Sequence, residues 1–61
     1  MSLRKTLIGV LSTSPGLDAK GCLAAVAERY RRVSKQALYQ ELRELLGEGI
    51  VVRVGTRYSL N

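Results

Sequence analysis

The 61-residue chain has no histidine, tryptophan or phenylalanine, one cysteine and one proline. A lone cysteine cannot close an internal disulfide, and without histidine the usual zinc ligand sets cannot be assembled from one chain, so no metal is expected. Three tyrosines are the only aromatic rings, too few for a platform that stacks single-stranded bases. No apolar run approaches the roughly eighteen residues of a membrane span, and the start of the chain lacks an apolar stretch ending in a small-residue cleavage site. These absences point to a soluble, cytoplasmic protein without a membrane partner. Catalytic groups are equally scarce. Acid–base work would fall to Asp18 and four glutamates, none placed in an apolar pocket, and Cys22 has no base beside it. Gly47, Gly49 and Gly55 serve a helix end and a turn, which leaves no glycine-rich phosphate loop. Neither an enzyme nor a cofactor is expected.

What is present is a surplus of positive charge and enough apolar content for one small core. Ten Lys and Arg outweigh five acids, giving +5, and 46% of the residues are hydrophobic. A chain this short buries a single core, so residues 1–61 read as one domain, and the charge favours a polyanionic partner. No internal repeat, low-complexity tract or linker interrupts it.

Leu3, Leu7, Val10 and Leu11 recur at three- and four-residue spacing and predict helix one over about 2–13, ended by Thr13-Ser14-Pro15-Gly16. Arg4 and Lys5 on it read as charges for solubility. Asp18 can cap helix two, about 18–30, with Ala19, Cys22, Leu23, Val26, Ala27 and Tyr30 on its inward side and Gly21, Ala24 and Ala25 on a thin solvated side. Cys22 reads as a core residue. Ser34 can cap helix three, about 34–47, with Gly47 and Gly49 as a left-handed stop. At 100° per residue this helix has Leu38, Leu42 and Leu45 on one side, Glu41, Glu44 and Glu48 on a second, and Lys35, Gln36, Tyr39, Gln40 and Arg43 on a third that lacks carboxylates. One uninterrupted helix from Asp18 to Leu46 is the structural alternative, against which the apolar stripe shifts phase near Ser34. Residues 50–60 predict a β-hairpin; with Gly55-Thr56 as its loop Val51 pairs with Leu60, Val52 with Ser59, Arg53 with Tyr58 and Val54 with Arg57, and a register slipped by one residue is the alternative.

The stretch AVAERYRRVSKQALYQELRELLGEGIVVRVGTRYSL resembles the winged helix-turn-helix family. Ala27 of an alanine-rich second helix, Ser34 opening the third, Leu45 near its end and Gly49-Ile50-Val51 leading into the hairpin carry the likeness. Arg31-Arg32 stands where many members have a single glycine, so the turn is expected to be one residue longer. The resemblance implies a mostly α fold with a small β-hairpin, a three-helix winged helix-turn-helix. It also implies that helix three enters the major groove of double-stranded DNA, with Ser34, Lys35, Gln36, Tyr39, Gln40 and Arg43 facing the duplex.

The residues reach the same side of helix three independently. Glutamine can pair bidentately with adenine, and Lys or Arg with guanine, which makes Lys35, Gln36, Gln40 and Arg43 candidate base readers; Tyr39 packs at the rim or donates its hydroxyl to a phosphate. The segregation of the three glutamates favours DNA over a merely solvated side. Arg29, Arg31 and Arg32 stand where the turn would cross the DNA backbone, and Ser34 adds a helix N-terminus. In the wing, Arg53, Thr56 and Arg57 are candidate backbone contacts; Arg57 is the stronger of the two arginines, because a cation–π contact between Arg53 and Tyr58 competes. The expected function is a DNA-binding module of a transcriptional regulator, whose affinity needs a larger parent chain, cooperative neighbours or a homodimer, for which helix one is the free surface. The rival readings are a protein-interaction module for polymerase or an acidic partner, and an RNA-binding winged helix.

Overall fold

A hydroxyl on each side of the first turn starts the chain: Ser2 Oγ accepts from the Lys5 N–H at 3.2 Å, and Thr6 Oγ1 donates to the Ser2 carbonyl at 3.0 Å. The computed structural model describes residues 2–61, and Met1, the first residue of the expected 1–61 domain, lies outside them. Behind that cap, α1 runs Leu3–Thr13 and stops before Pro15, as the turn formers there require. Gly16, at φ 82°, reverses the chain. Asp18 caps α2 (Ala19–Arg29) by accepting from the Gly21 N–H at 2.7 Å. Ser34 caps α3 (Lys35–Gly47) in the same way, accepting from the Ala37 N–H at 3.0 Å. The chain breaks between α2 and α3, which excludes the single long helix. Tyr30 and Val33 close the break with a 3.2 Å backbone bond, and Arg31 and Arg32 sit at its centre, both at negative φ, so no glycine is needed there.

The end of α3 separates the two glycines expected to stop it. Gly47 is still helical. Gly49, at φ 77°, makes the left-handed reversal alone, with its N–H on the Leu46 carbonyl at 3.2 Å and that of Ile50 on the Leu45 carbonyl at 3.1 Å. Ile50 leads into the hairpin of β2 (Val51–Val54) and β3 (Arg57–Leu60), joined through Gly55 at φ 63° and Thr56. Its register is the expected one, Val51 with Leu60 through Val54 with Arg57, because a glycine-first two-residue loop leaves no other pairing of the adjoining residues.

One strand is additional to expectation. Leu17 and Asp18 form β1, antiparallel to β3 with Leu17 opposite Tyr58 and Asp18 opposite Arg57, so the sheet has three strands in the order β1-β3-β2. Two residues between a turn and a cap carry no periodicity of their own; the strand exists because β3 offers a free edge. Its presence corrects the reading of α2. Ala24 is exposed, but Gly21 is half-buried, since β1 lays Leu17 against it, and Ala25 is half-buried against the core. A Cβ at Gly21 would lie 3.2 Å from Leu17 Cδ2 and 3.1 Å from Asp18 Oδ1. Tyr30, expected inward, is exposed, because α2 has already ended and the chain is turning.

Leu7, Val10 and Leu11 of α1, Cys22 and Val26 of α2, Leu38, Leu42 and Leu45 of α3, and Val51 of β2 form one core. Three helices with a small antiparallel sheet give a mostly α fold, the arrangement of a winged helix. Cys22 is fully enclosed, and burial first, then the Asp18 charge, pushes its thiol up from the ordinary value, which suits a packed residue rather than a nucleophile.

The two glycines at the end of α3 make a stability test. Each would have open space for a methyl group, so backbone conformation alone decides the sign. Gly49→Ala should cost about 1–2 kcal/mol, the penalty of an L-residue in the left-handed region, whereas Gly47→Ala should be neutral or stabilising by up to about 1 kcal/mol. Urea melts of the two variants against the parent read both values, and equal effects would contradict this ending of α3.

Candidate nucleic-acid interface

The three buried leucines fix the rotation of α3 and therefore the surroundings of every other residue on it. Lys35, Gln36, Tyr39, Gln40 and Arg43 are all exposed. By helical spacing, Gln36 and Gln40 lie opposite the core, with Arg43 beside Gln36 and Tyr39 further round toward the hairpin. Lys35 Nζ stands 5.6 Å from the centroid of the Tyr39 ring, one turn away, so this lysine is held along the helix surface by a cation–π contact. Arg53 and Tyr58, cross-strand neighbours as expected, show no such contact among the described residues.

The opposite flank of α3 belongs to Arg4. Its Nε donates to Glu41 Oε1 at 2.7 Å, Nη1 and Nη2 donate to the two Glu48 oxygens at 3.0 and 2.6 Å, and Nη2 lies 3.6 Å from Glu44 Oε1. An arginine read as a solubility charge is thus a clamp between α1 and α3. A planar guanidinium can hold Glu48 bidentately and still reach Glu41, which a lysine cannot do. The segregation of the glutamates therefore has a structural cause and does not by itself speak for DNA. Glu44, least tightly held, also borders the shallow concavity formed on α3 by Lys35, Gln36, Tyr39, Gln40 and Arg43.

The expected backbone contacts divide into three places. Arg31 and Arg32 are exposed at the turn before α3, with Ser34 at its cap. Arg29, the last residue of α2, is exposed but reaches toward α1, its Nη1 lying 3.7 Å from where a Cβ on Gly9 would be. In the hairpin, strand parity separates the two arginines. Arg53 shares the side of Val51 and Tyr58, and Arg57 shares the side of Val52 and Val54. Arg53 and Thr56 consequently line a cleft between the hairpin, α3 and the start of α2, together with Arg43 and Tyr58. Lys20 also lines that cleft. Nothing local in the sequence marked it, because its place depends on β1 bringing the start of α2 to the sheet.

No family model matches the chain. A 32-residue stretch, 52% of the chain, is 47% identical to part of long-chain fatty acid transport protein 1 of Bos taurus, and it amounts to 5% of that protein. So small a share carries neither fold nor activity across. No helix among the described residues is long and apolar enough to cross a membrane.

The Arg4 clamp sets an acid dependence. Hydrogen bonding from Arg4, opposed by partial desolvation, holds the Glu48 carboxyl below its ordinary value. Its stabilising effect is complete above the unfolded carboxyl pKa of about 4.3 and is lost as pH falls through the lower folded value. Thermal melts between neutral and strongly acidic pH should show the parent losing more Tm than Arg4→Met does below about pH 4. Parallel curves would mean that the clamp adds nothing to stability.

Proposed function

We propose that the chain is a double-stranded DNA-binding module of a transcriptional regulator, acting in the cytoplasm and built on the plan of the winged helix-turn-helix proteins that it resembles. The observation supporting this most directly is the exposed side of α3, where Gln36 and Gln40 stand opposite the core with the cations of Arg43 and Lys35 on one flank and Glu44 on the other. A major groove about 12 Å wide admits one α-helix, and glutamine offers a donor and an acceptor in the geometry of the adenine edge. Arg31, Arg32 and the capped start of α3 position the helix against phosphates, and the hairpin lies on the flanking backbone. The function is binding, with no chemistry performed on the nucleic acid.

One domain of this size reads few base pairs, and a second copy on a palindromic site would supply the rest. The surface for such pairing is constrained. The apolar side of α1 is used by the core, and its outward side presents Lys5, Ser12 and Thr13, so a homodimer through α1 would bury polar groups.

Selection from a random duplex library, followed by sequencing, tests the reading: an enriched motif is expected, and its symmetry reports the number of copies bound. Gln40→Ala should then relax preference at one position, at a cost of about 1–3 kcal/mol for the lost bidentate pair. Arg31→Ala should weaken all duplexes alike and make the log–log salt slope shallower by about one. Equal affinity for every duplex would remove base reading, and tighter binding to an RNA helix or an acidic protein would replace DNA as the partner.

A further inference from the structure

The cleft beside α3 has a charge arrangement that the core does not require. It lies on the flank of the helix opposite the glutamates, walled by the start of α2 and by the hairpin. Lys20, Arg43 and Arg53 line it from three different elements, and among the described residues none of the three forms an ion pair. The one acid in its lining, Asp18, caps α2 through Oδ1, which accepts from the Gly21 N–H at 2.7 Å, and its single negative charge is outnumbered by the three cations. Three cations brought to one concavity repel each other, and the walls focus their field into the space between them. Thr56 and Tyr58 line the same space, and each carries a hydroxyl, a neutral donor.

We infer that this cleft seats a phosphate of the DNA backbone, with Lys20, Arg43 and Arg53 as its cationic partners. The inference rests on the duplex-binding reading and refines it in two ways. Lys20 becomes a positioning contact, and Arg43, expected among the base readers, turns to phosphate and leaves base recognition to Gln36 and Gln40. The geometry favours this division because Arg43 belongs to both concavities of α3, whereas Gln36 and Gln40 border only the outward one. Strand parity with buried Val51 puts Arg53 on the cleft side of the hairpin, where a DNA strand passing α3 would continue.

The test is duplex binding by the whole chain across a salt series, with Lys20→Ala, Arg43→Ala and, as a control on the exposed side of α1, Lys5→Ala. Lys20→Ala and Arg43→Ala should each make the log–log salt slope shallower by about 0.9, with the selected motif unchanged. Lys5→Ala should match the parent. A parent-like slope for Lys20→Ala, or relaxed base preference in Arg43→Ala, overturns the assignment while leaving duplex binding intact; absence of binding by the parent overturns the duplex reading itself. Inorganic phosphate at matched ionic strength separates the two sources of the anion. No displacement of duplex beyond that caused by chloride is expected, and stronger displacement would make the cleft a free-phosphate site instead.

Discussion

Leu38, Leu42 and Leu45 set the rotation of α3 about its own axis, and every functional statement about this chain depends on that angle. All three are enclosed against α1, α2 and β2. Truncating a leucine in such a position typically costs about 2–5 kcal/mol, a large part of what one small core supplies. Turning the helix by a single residue would place Tyr39 and Arg43 in the core and expose the leucines. Val51 belongs to the same core, so the hairpin is fixed relative to α3 by the packing that fixes the helix itself. The sides of α3 then follow from one constraint: one flank meets α1, the other faces the cleft, and the remaining side is open.

Charge is distributed unevenly over these sides. Lys35 and Arg43 are outnumbered on their own helix by Glu41, Glu44 and its C-cap Glu48, so α3 contributes little net attraction to a polyanion even with Arg4 neutralising its acidic flank. The overall surplus of +5 must act from the periphery, through Lys20, Arg29, Arg31, Arg32, Arg53 and Arg57. That separation matches the physics of duplex recognition, in which phosphate contacts supply affinity and base contacts supply choice. It also gives the Arg4 clamp a second consequence. By drawing Glu41 and Glu48 toward α1, it keeps two carboxylates away from the side where nucleotides would approach.

Local signals made the caps, the helix faces and the hairpin register legible in the sequence. Asp18 and Ser34 precede amphipathic stretches, the leucines recur at helical spacing, and Gly55-Thr56 leaves one way to pair the residues around it. What escaped is nonlocal. β1 is two residues whose only cause is the edge of β3, 39 to 41 positions later. The Arg4 clamp spans 37 residues to Glu41 and 44 to Glu48, and no window along the chain relates them. Gly47 and Gly49 were equivalent as composition, and the helix geometry chose between them. The candidate interface divides in the same way: the exposed side of α3 was readable from spacing alone, whereas Lys20 entered only once β1 had brought the start of α2 beside the hairpin.

The hairpin shows how one parity serves two demands. Burying Val51 commits Arg53 to the same side, where it overhangs the cleft, and sends Val52 and Val54 to the other. Val54 is 77% exposed there, so it adds little to the core, and its β-branched shape serves the strand conformation instead. β2 is also an edge of the sheet, and an apolar edge invites pairing with another chain. Its four residues include Arg53, and Arg57 stands across from Val54. Short length and flanking positive charge are the means by which edge strands avoid such pairing. The same arginines that are proposed to meet a phosphate backbone thus discourage the hairpin from extending its own sheet.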